Sequence, residues 1–125
     1  MATPSTPFSL QGALVYPPDD GQPKATRDFS QSGNFTQKSE QDLLLVGAGS
    51  KSIGFGTIVA PKAILIEVDR TSLAPINLRF NGGTDDIEVS PGGFWAYSNP
   101  SPASPITAIE VVYTMDARVQ ARLLE

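Results

Sequence analysis

The amino-acid sequence predicts an all-β fold: an antiparallel β-sandwich, jelly-roll-like, preceded by an extended Pro-rich N-terminal arm. Three observations carry this expectation. From Gln41 onward, apolar and polar residues alternate with a period of two in short runs, the pattern of strands with one buried face. Turn residues return at roughly 8–12-residue intervals, as they do in sandwiches and barrels. No segment sustains the 3.6-residue period of a helix, so the helical crossovers that parallel sheets require are missing. About eight strands follow, which suit two packed four-stranded sheets better than a small barrel.

Two segments of different character divide the chain: an arm over residues 1–40 and a sandwich domain over 41–125. The arm holds five of the eleven prolines (Pro4, Pro7, Pro17, Pro18, Pro23), and much of the remainder is Ser, Thr, Gln and Asp. Its apolar residues come in small groups: Phe8 and Leu10, then Leu14, Val15 and Tyr16, then Phe29 and Phe35. Alone, such a stretch cannot bury enough surface to offset its ordering entropy and is expected to be flexible or extended. It lies along its own domain or reaches a neighbouring subunit.

Within the domain, Leu43-Leu44-Leu45-Val46 is a short apolar run. Residues 52–59 place Ile53, Phe55 and Thr57 on one face of an expected strand, with Gly54 and Gly56 on the other. Lys62–Asp69 puts Ile64, Ile66 and Val68 inside and Leu65, Glu67 and Asp69 outside. Ile76, Leu78 and Phe80 alternate with Asn77 and Arg79, and Asn81-Gly82-Gly83 supplies the positive-φ positions of a tight reversal. Ile87 and Val89 precede Ser90-Pro91-Gly92-Gly93, where Pro-Gly suits a type II turn. Phe94–Ser98 is an aromatic strand, and 99–105 is a loop with three prolines. Thr107–Met115 and Val119–Leu123 complete the pattern across a turn at Asp116-Ala117.

Composition narrows the chemistry. A chain of 125 residues is one domain, long enough to bury roughly two-thirds of its extended surface. Charged residues are 18% of the total, below the ~25% of an ordinary domain. The net charge of −4 and isoelectric point near 4.7 argue against binding a phosphate backbone. There is no Cys and no His, which removes disulfides, thiol nucleophiles, thiolate or imidazole metal sites and His-dependent triads. The N-terminal residues lack the basic and apolar regions of a secretory signal, and no apolar run approaches a membrane span, so synthesis and folding in a cytoplasm are expected.

Five motifs bear on function. Val46-Gly47-Ala48-Gly49-Ser50-Lys51-Ser52 resembles a phosphate loop superficially, but Ser50 and Leu45 stand where that loop needs Gly, and a strand follows; a strand-linking loop is expected. Asp85, Asp86 and Glu88, with Asn81 upstream, gather oxygen ligands that could hold a hard cation or simply stay solvated. Glu67 and Asp69 share a strand face at the spacing of a carboxylate pair, without any cleft signature. In Phe94-Trp95-Ala96-Tyr97, if Phe94 faces the core, Trp95 and Tyr97 face outward, suiting a subunit interface better than sugar stacking; otherwise Trp95 covers a sheet. Arg118, Gln120 and Arg122 line one face of the last strand, a salt-bridging edge to a partner.

The Pro-rich arm before a Cys- and His-free β domain, with Phe80-Asn81-Gly82-Gly83, Asp86–Phe94 and the terminal Ala117–Glu125, resembles small virion structural proteins of tailed bacteriophages, particularly capsid decoration (cement) proteins. That resemblance implies a jelly-roll-like, non-enzymatic protein that binds the outside of a capsid and bridges major capsid protein subunits. It also implies a homo-oligomer, a trimer favoured, located on the virion, with no cofactor, no nucleic acid and no membrane partner. The candidate partner-binding residues are Phe8, Leu10, Leu14, Val15 and Tyr16 of the arm, Trp95 and Tyr97, and Arg118 and Arg122. The alternative reading is a carbohydrate-binding or adaptor β-sandwich of a phage tail or fibre, using Trp95 and Tyr97. An enzyme built on Glu67 and Asp69 is the third.

Overall fold

The computed structural model describes residues 5–17, 21, 23 and 25–125. Ten strands and no helix are present among them: β1 (Thr6–Tyr16), β2 (Ala25–Phe35), β3 (Lys38–Leu45), β4 (Gly49–Ser52), β5 (Ala63–Val68), β6 (Ile76–Phe80), β7 (Ile87–Val89), β8 (Phe94–Ser98), β9 (Ile109–Tyr113) and β10 (Ala117–Leu124). Strands β3–β10 form two four-stranded sheets in the orders β3-β10-β5-β8 and β4-β9-β6-β7. Every pairing is antiparallel. Successive strands therefore pass repeatedly from one sheet to the other, and that interleaving is the jelly roll the sequence predicts.

The core follows from the period of two. Strand β10 buries Ala117, Val119, Ala121 and Leu123 and turns the residues between them outward. Ile64, Ile66 and Val68 of β5 and Leu43 and Leu45 of β3 complete the inner face of its sheet. Ile76, Leu78, Ile109, Val111 and Val89 face them from the other sheet, and among the described residues no polar or charged one is buried. At about 1.5–3 kcal/mol for each fully buried aliphatic side chain, this interior is the main favourable term for the sandwich.

The turns hold where the residue types require them. Asn81 and Gly82 both take positive φ (53° and 72°), and Gly83 N–H donates to the Phe80 carbonyl at 2.9 Å. The Asn81 amide oxygen also accepts from Thr107 N–H (2.7 Å) and Ala108 N–H (3.2 Å), so one side chain fastens the end of the Pro-rich loop. Gly92 has φ 83°, and Gly93 N–H donates to the Ser90 carbonyl at 2.8 Å, as expected for Pro91-Gly92.

Two expectations are corrected here. Residues 53–59 are a loop rather than a strand continuing from Ser52. Gly56 takes φ 60° and Ile58 N–H closes a turn on the Phe55 carbonyl, which sends both Ile53 and Ile58 inward. The expected arm over 1–40 is instead a β-hairpin: β1 pairs with β2 over eleven residue pairs, from Thr6↔Phe35 to Tyr16↔Ala25, and the sandwich begins at Lys38. The parts of that arm at residues 1–4, 18–20, 22 and 24 lie outside the described residues.

Candidate protein-binding hairpin and groove

Residues directly opposed in an antiparallel pair share a face, so the β1–β2 register sorts the hairpin's side chains. One face carries Phe8, Leu10, Leu14, Tyr16, Phe29 and Phe35, with Arg27 its one charged residue; the other carries Ser9, Gln11, Ser30, Ser32, Thr26 and Asp28. The hairpin is amphipathic. Two of its rings lie over glycines on the same face: Phe29 over Gly12 and Phe8 over Gly33. A Cβ at Gly12 would stand 2.5 Å from Phe29 Cζ, so the glycine leaves room for the ring, and the ring covers backbone that a glycine alone would leave bare.

The hairpin is rooted in the sandwich by the end of β10. Thr36 N–H donates to the Glu125 carbonyl (2.8 Å), Glu125 N–H donates to the Gln37 carbonyl (2.9 Å), and the Glu125 carboxylate accepts from Val59 and Ala60 N–H (2.8 and 2.6 Å). Near this root the apolar face packs: Phe8, Leu10 and Phe35 are half-buried, and the Phe8 and Phe35 rings meet at 6.3 Å. Toward the free end it does not, for Leu14 is 62% exposed and Phe29 51%. Between this face and the outer surface of β5 and β8 runs an open groove of about 700 Å³, lined by Leu10, Leu14, Phe29, Leu65, Phe94 and Ala96 with Glu67 at its margin.

The remaining predicted site residues are placed as follows. Phe8, Leu10, Leu14 and Tyr16 gather on the apolar face, while Val15 points to the opposite one. Trp95 and Tyr97 do not face outward. They pack against the core, Trp95 against Phe80 of the other sheet (4.8 Å) and stacked on Tyr97 (6.0 Å), and Phe94 is the exposed member of the strand. Arg118 and Arg122 do not lie on an edge, since β10 pairs on both sides. Arg118 instead binds Asp42 of β3 in a two-bonded contact (2.6 and 3.1 Å), and Arg122 reaches Glu67 of β5 (3.4 Å).

The acidic motifs are likewise engaged locally. Hydrogen bonds from the Thr71 hydroxyl and N–H hold Asp69 below its ordinary range, and the Arg118 guanidinium does the same for Asp42. Glu67 and Asp69 line one open cavity of about 230 Å³ with Arg70, Phe94 and Gln120, and within it each is engaged by its own partner, Glu67 by Arg122 and Asp69 by Thr71. Asp86 pairs with Arg79 at 2.5 Å, which raises the arginine's affinity for its proton, and no group of three or more acidic residues converges among the described residues. The Gly47 region links β3 to β4, with Gly47 N–H on the Asp116 carboxylate at 2.6 Å.

The sequence does not single out Phe29 and Phe94 as surface residues of the site; Leu65 is read as outward but not as part of a site. The signal for Phe29 was present: positions 8, 10, 14 and 16 alternate as a strand does, and Phe29 and Phe35 keep the same parity six residues apart.

No protein-family model matches the chain, and no curated protein matches it significantly. Among solved structures the chain is similar to one described as a solution NMR structure of a de novo designed double-stranded beta-helix, at 16% identity, covering 69% of this chain and 96% of that one, with a TM-score of 0.43.

Proposed function

We propose that this chain is a non-enzymatic structural protein that attaches to a larger protein assembly through its N-terminal hairpin, and that the assembly is a capsid whose outer surface it binds, bridging major capsid protein subunits. The observation that carries the reading is the amphipathic hairpin: a stiff sandwich holds out a two-stranded element whose apolar side is packed at the root and bare toward the end. A soluble monomer gains nothing from an exposed row of Leu14, Tyr16 and Phe29; an interface does. The viral placement rests on the resemblance of the arm-plus-sandwich sequence to decoration proteins. Many copies, each burying a modest contact, would sum to a large resistance to shell expansion. The carbohydrate reading is weakened, because Trp95 and Tyr97 are partly buried and pack against the core rather than forming an exposed stacking surface.

The test is rebinding of the purified full chain to capsids stripped of their small outer proteins. Saturable, stoichiometric binding that Leu14→Glu abolishes is expected. Failure to bind, or binding indifferent to the hairpin substitution, would overturn the proposal.

A further inference from the structure

We infer that the free edge of β8 is a strand-addition site, where an extended segment of the protein assembly to which the chain attaches pairs as a further strand of the sheet. The inference rests on the proposed attachment and names the form in which the partner is recognised.

Backbone direction is the first ground. The Val68 N–H donates to the Gly93 carbonyl (3.0 Å) and the Asn99 N–H to the Lys62 carbonyl (2.8 Å), so alternate positions from Gly93 to Asn99 turn their main-chain groups toward β5. In an antiparallel pair the residues between them turn theirs the other way. Phe94, Ala96 and Ser98 therefore present their N–H and C=O groups along the outer edge of β8. Strand β5 is the one neighbour of β8, and no other main-chain group of the described residues bonds to those three.

The second ground is the contrast with the other edges of the sandwich, each of which is blunted. Strand β3 carries Lys38, Glu40 and Asp42, and its Ser39 and Gln41 side chains hold the Gly54 backbone (2.9 and 2.8 Å). Strand β4 is four exposed residues with Lys51 among them, and β7 is three residues around Glu88. Charge, short length and covering backbone are what keep an edge from pairing. Strand β8 reads Phe94-Trp95-Ala96-Tyr97-Ser98, without a charge or a proline, and its residues favour extended backbone.

The surroundings decide what fits. Leu14 and Phe29 of the hairpin stand across the groove from Phe94 and Ala96, so the space beside this edge is roofed and suits a single extended segment better than the edge of another folded sandwich. An added strand would place alternate side chains under the hairpin and the others beside the half-buried Trp95 and Tyr97. Both environments are apolar, so the segment is uncharged and about five residues long, matching β8, with main-chain bonds supplying its affinity.

Residue-resolved hydrogen exchange of the full chain, alone and on stripped capsids, tests this. Alone, the Phe94, Ala96 and Ser98 amides should exchange fast and those of Trp95 and Tyr97 slowly; on capsids the first three should slow. Ala96→Pro removes an outward N–H and no bond to β5, so it should keep the wild-type circular dichroism spectrum and weaken capsid binding about tenfold. Ser98→Pro makes the same test should Ala96→Pro fail to fold. Slow exchange at the three edge amides in the free chain, capsid binding that leaves them fast, or a folded proline variant that binds like wild type would overturn the inference and leave the attachment reading standing. A wild-type chain that shows the expected free exchange yet ignores capsids would overturn the attachment reading and, with it, the named partner.

Discussion

Trp95 shows how far a single side chain's direction decides a functional reading. In Phe94–Ser98 every residue but Ser98 is apolar or aromatic, so no polar partner marks the wet face, and a one-residue shift in parity exchanges Phe94 for Trp95 at the surface. The structure puts Trp95 between Phe80 and Tyr97, bridging the two sheets. Trp95→Ala should therefore destabilise the domain by about 3 kcal/mol in urea unfolding, where a surface ligand residue would leave stability nearly unchanged. Asn81 carries a comparable structural role from an exposed position, combining positive φ with bonds to Thr107 and Ala108. Asn81→Ala should cost about 1–3 kcal/mol, from backbone strain and unpaired N–H groups together.

Titration belongs to the same scale. Asp42 and Asp69 are held below their ordinary value of 3.8 in the folded state, so their contribution is complete above that value and is lost as pH falls below it. With no His in the sequence, denaturant midpoints should stay level from about pH 5 to 8 and decline only in the acid range. Asp42→Asn should shrink the acid decline. A midpoint that falls between pH 7 and 6 would contradict the assignment.

At the scale of elements, the strands of the sandwich were legible because one buried face imposes a two-residue period; β10, with its alternating Val119, Ala121 and Leu123, is the clearest case. The loop at 53–59 was not, because Gly54 and Gly56 leave the alternation of Ile53, Phe55 and Thr57 intact while the backbone turns at Gly56. The interior place of β10 was also hidden, since strand order is set by contacts far apart in sequence, and an outward Arg118 and Arg122 read the same on an edge as between β3 and β5. In the N-terminal segment the prolines obscured a strand pair. Pro17, Pro18 and Pro23 fall between β1 and β2, and Pro7 sits on a strand with only one neighbour, where a missing N–H is tolerated. The hairpin makes no contribution to the sandwich core beyond its root. Phe29→Glu should accordingly change the unfolding free energy of the sandwich by less than about 0.5 kcal/mol, read by urea denaturation, while removing the exposed ring from any interface.

Across the whole molecule the parts divide the work. The jelly roll supplies a body whose apolar interior is closed between two sheets, and β10 anchors the hairpin through Glu125, so a load on the hairpin passes into the central strand of one sheet. The acidic net charge of −4 disfavours binding to a phosphate backbone. On the proposed reading, this body and hairpin reinforce a shell by bridging its subunits. The most direct measurement is the temperature at which filled capsids rupture, compared for shells stripped of small outer proteins, shells refilled with the full chain, and shells mixed with Leu14→Glu. The full chain is expected to restore a rupture temperature lost on stripping, and Leu14→Glu is not; full occupancy of the shell with no rise in rupture temperature would overturn the proposal.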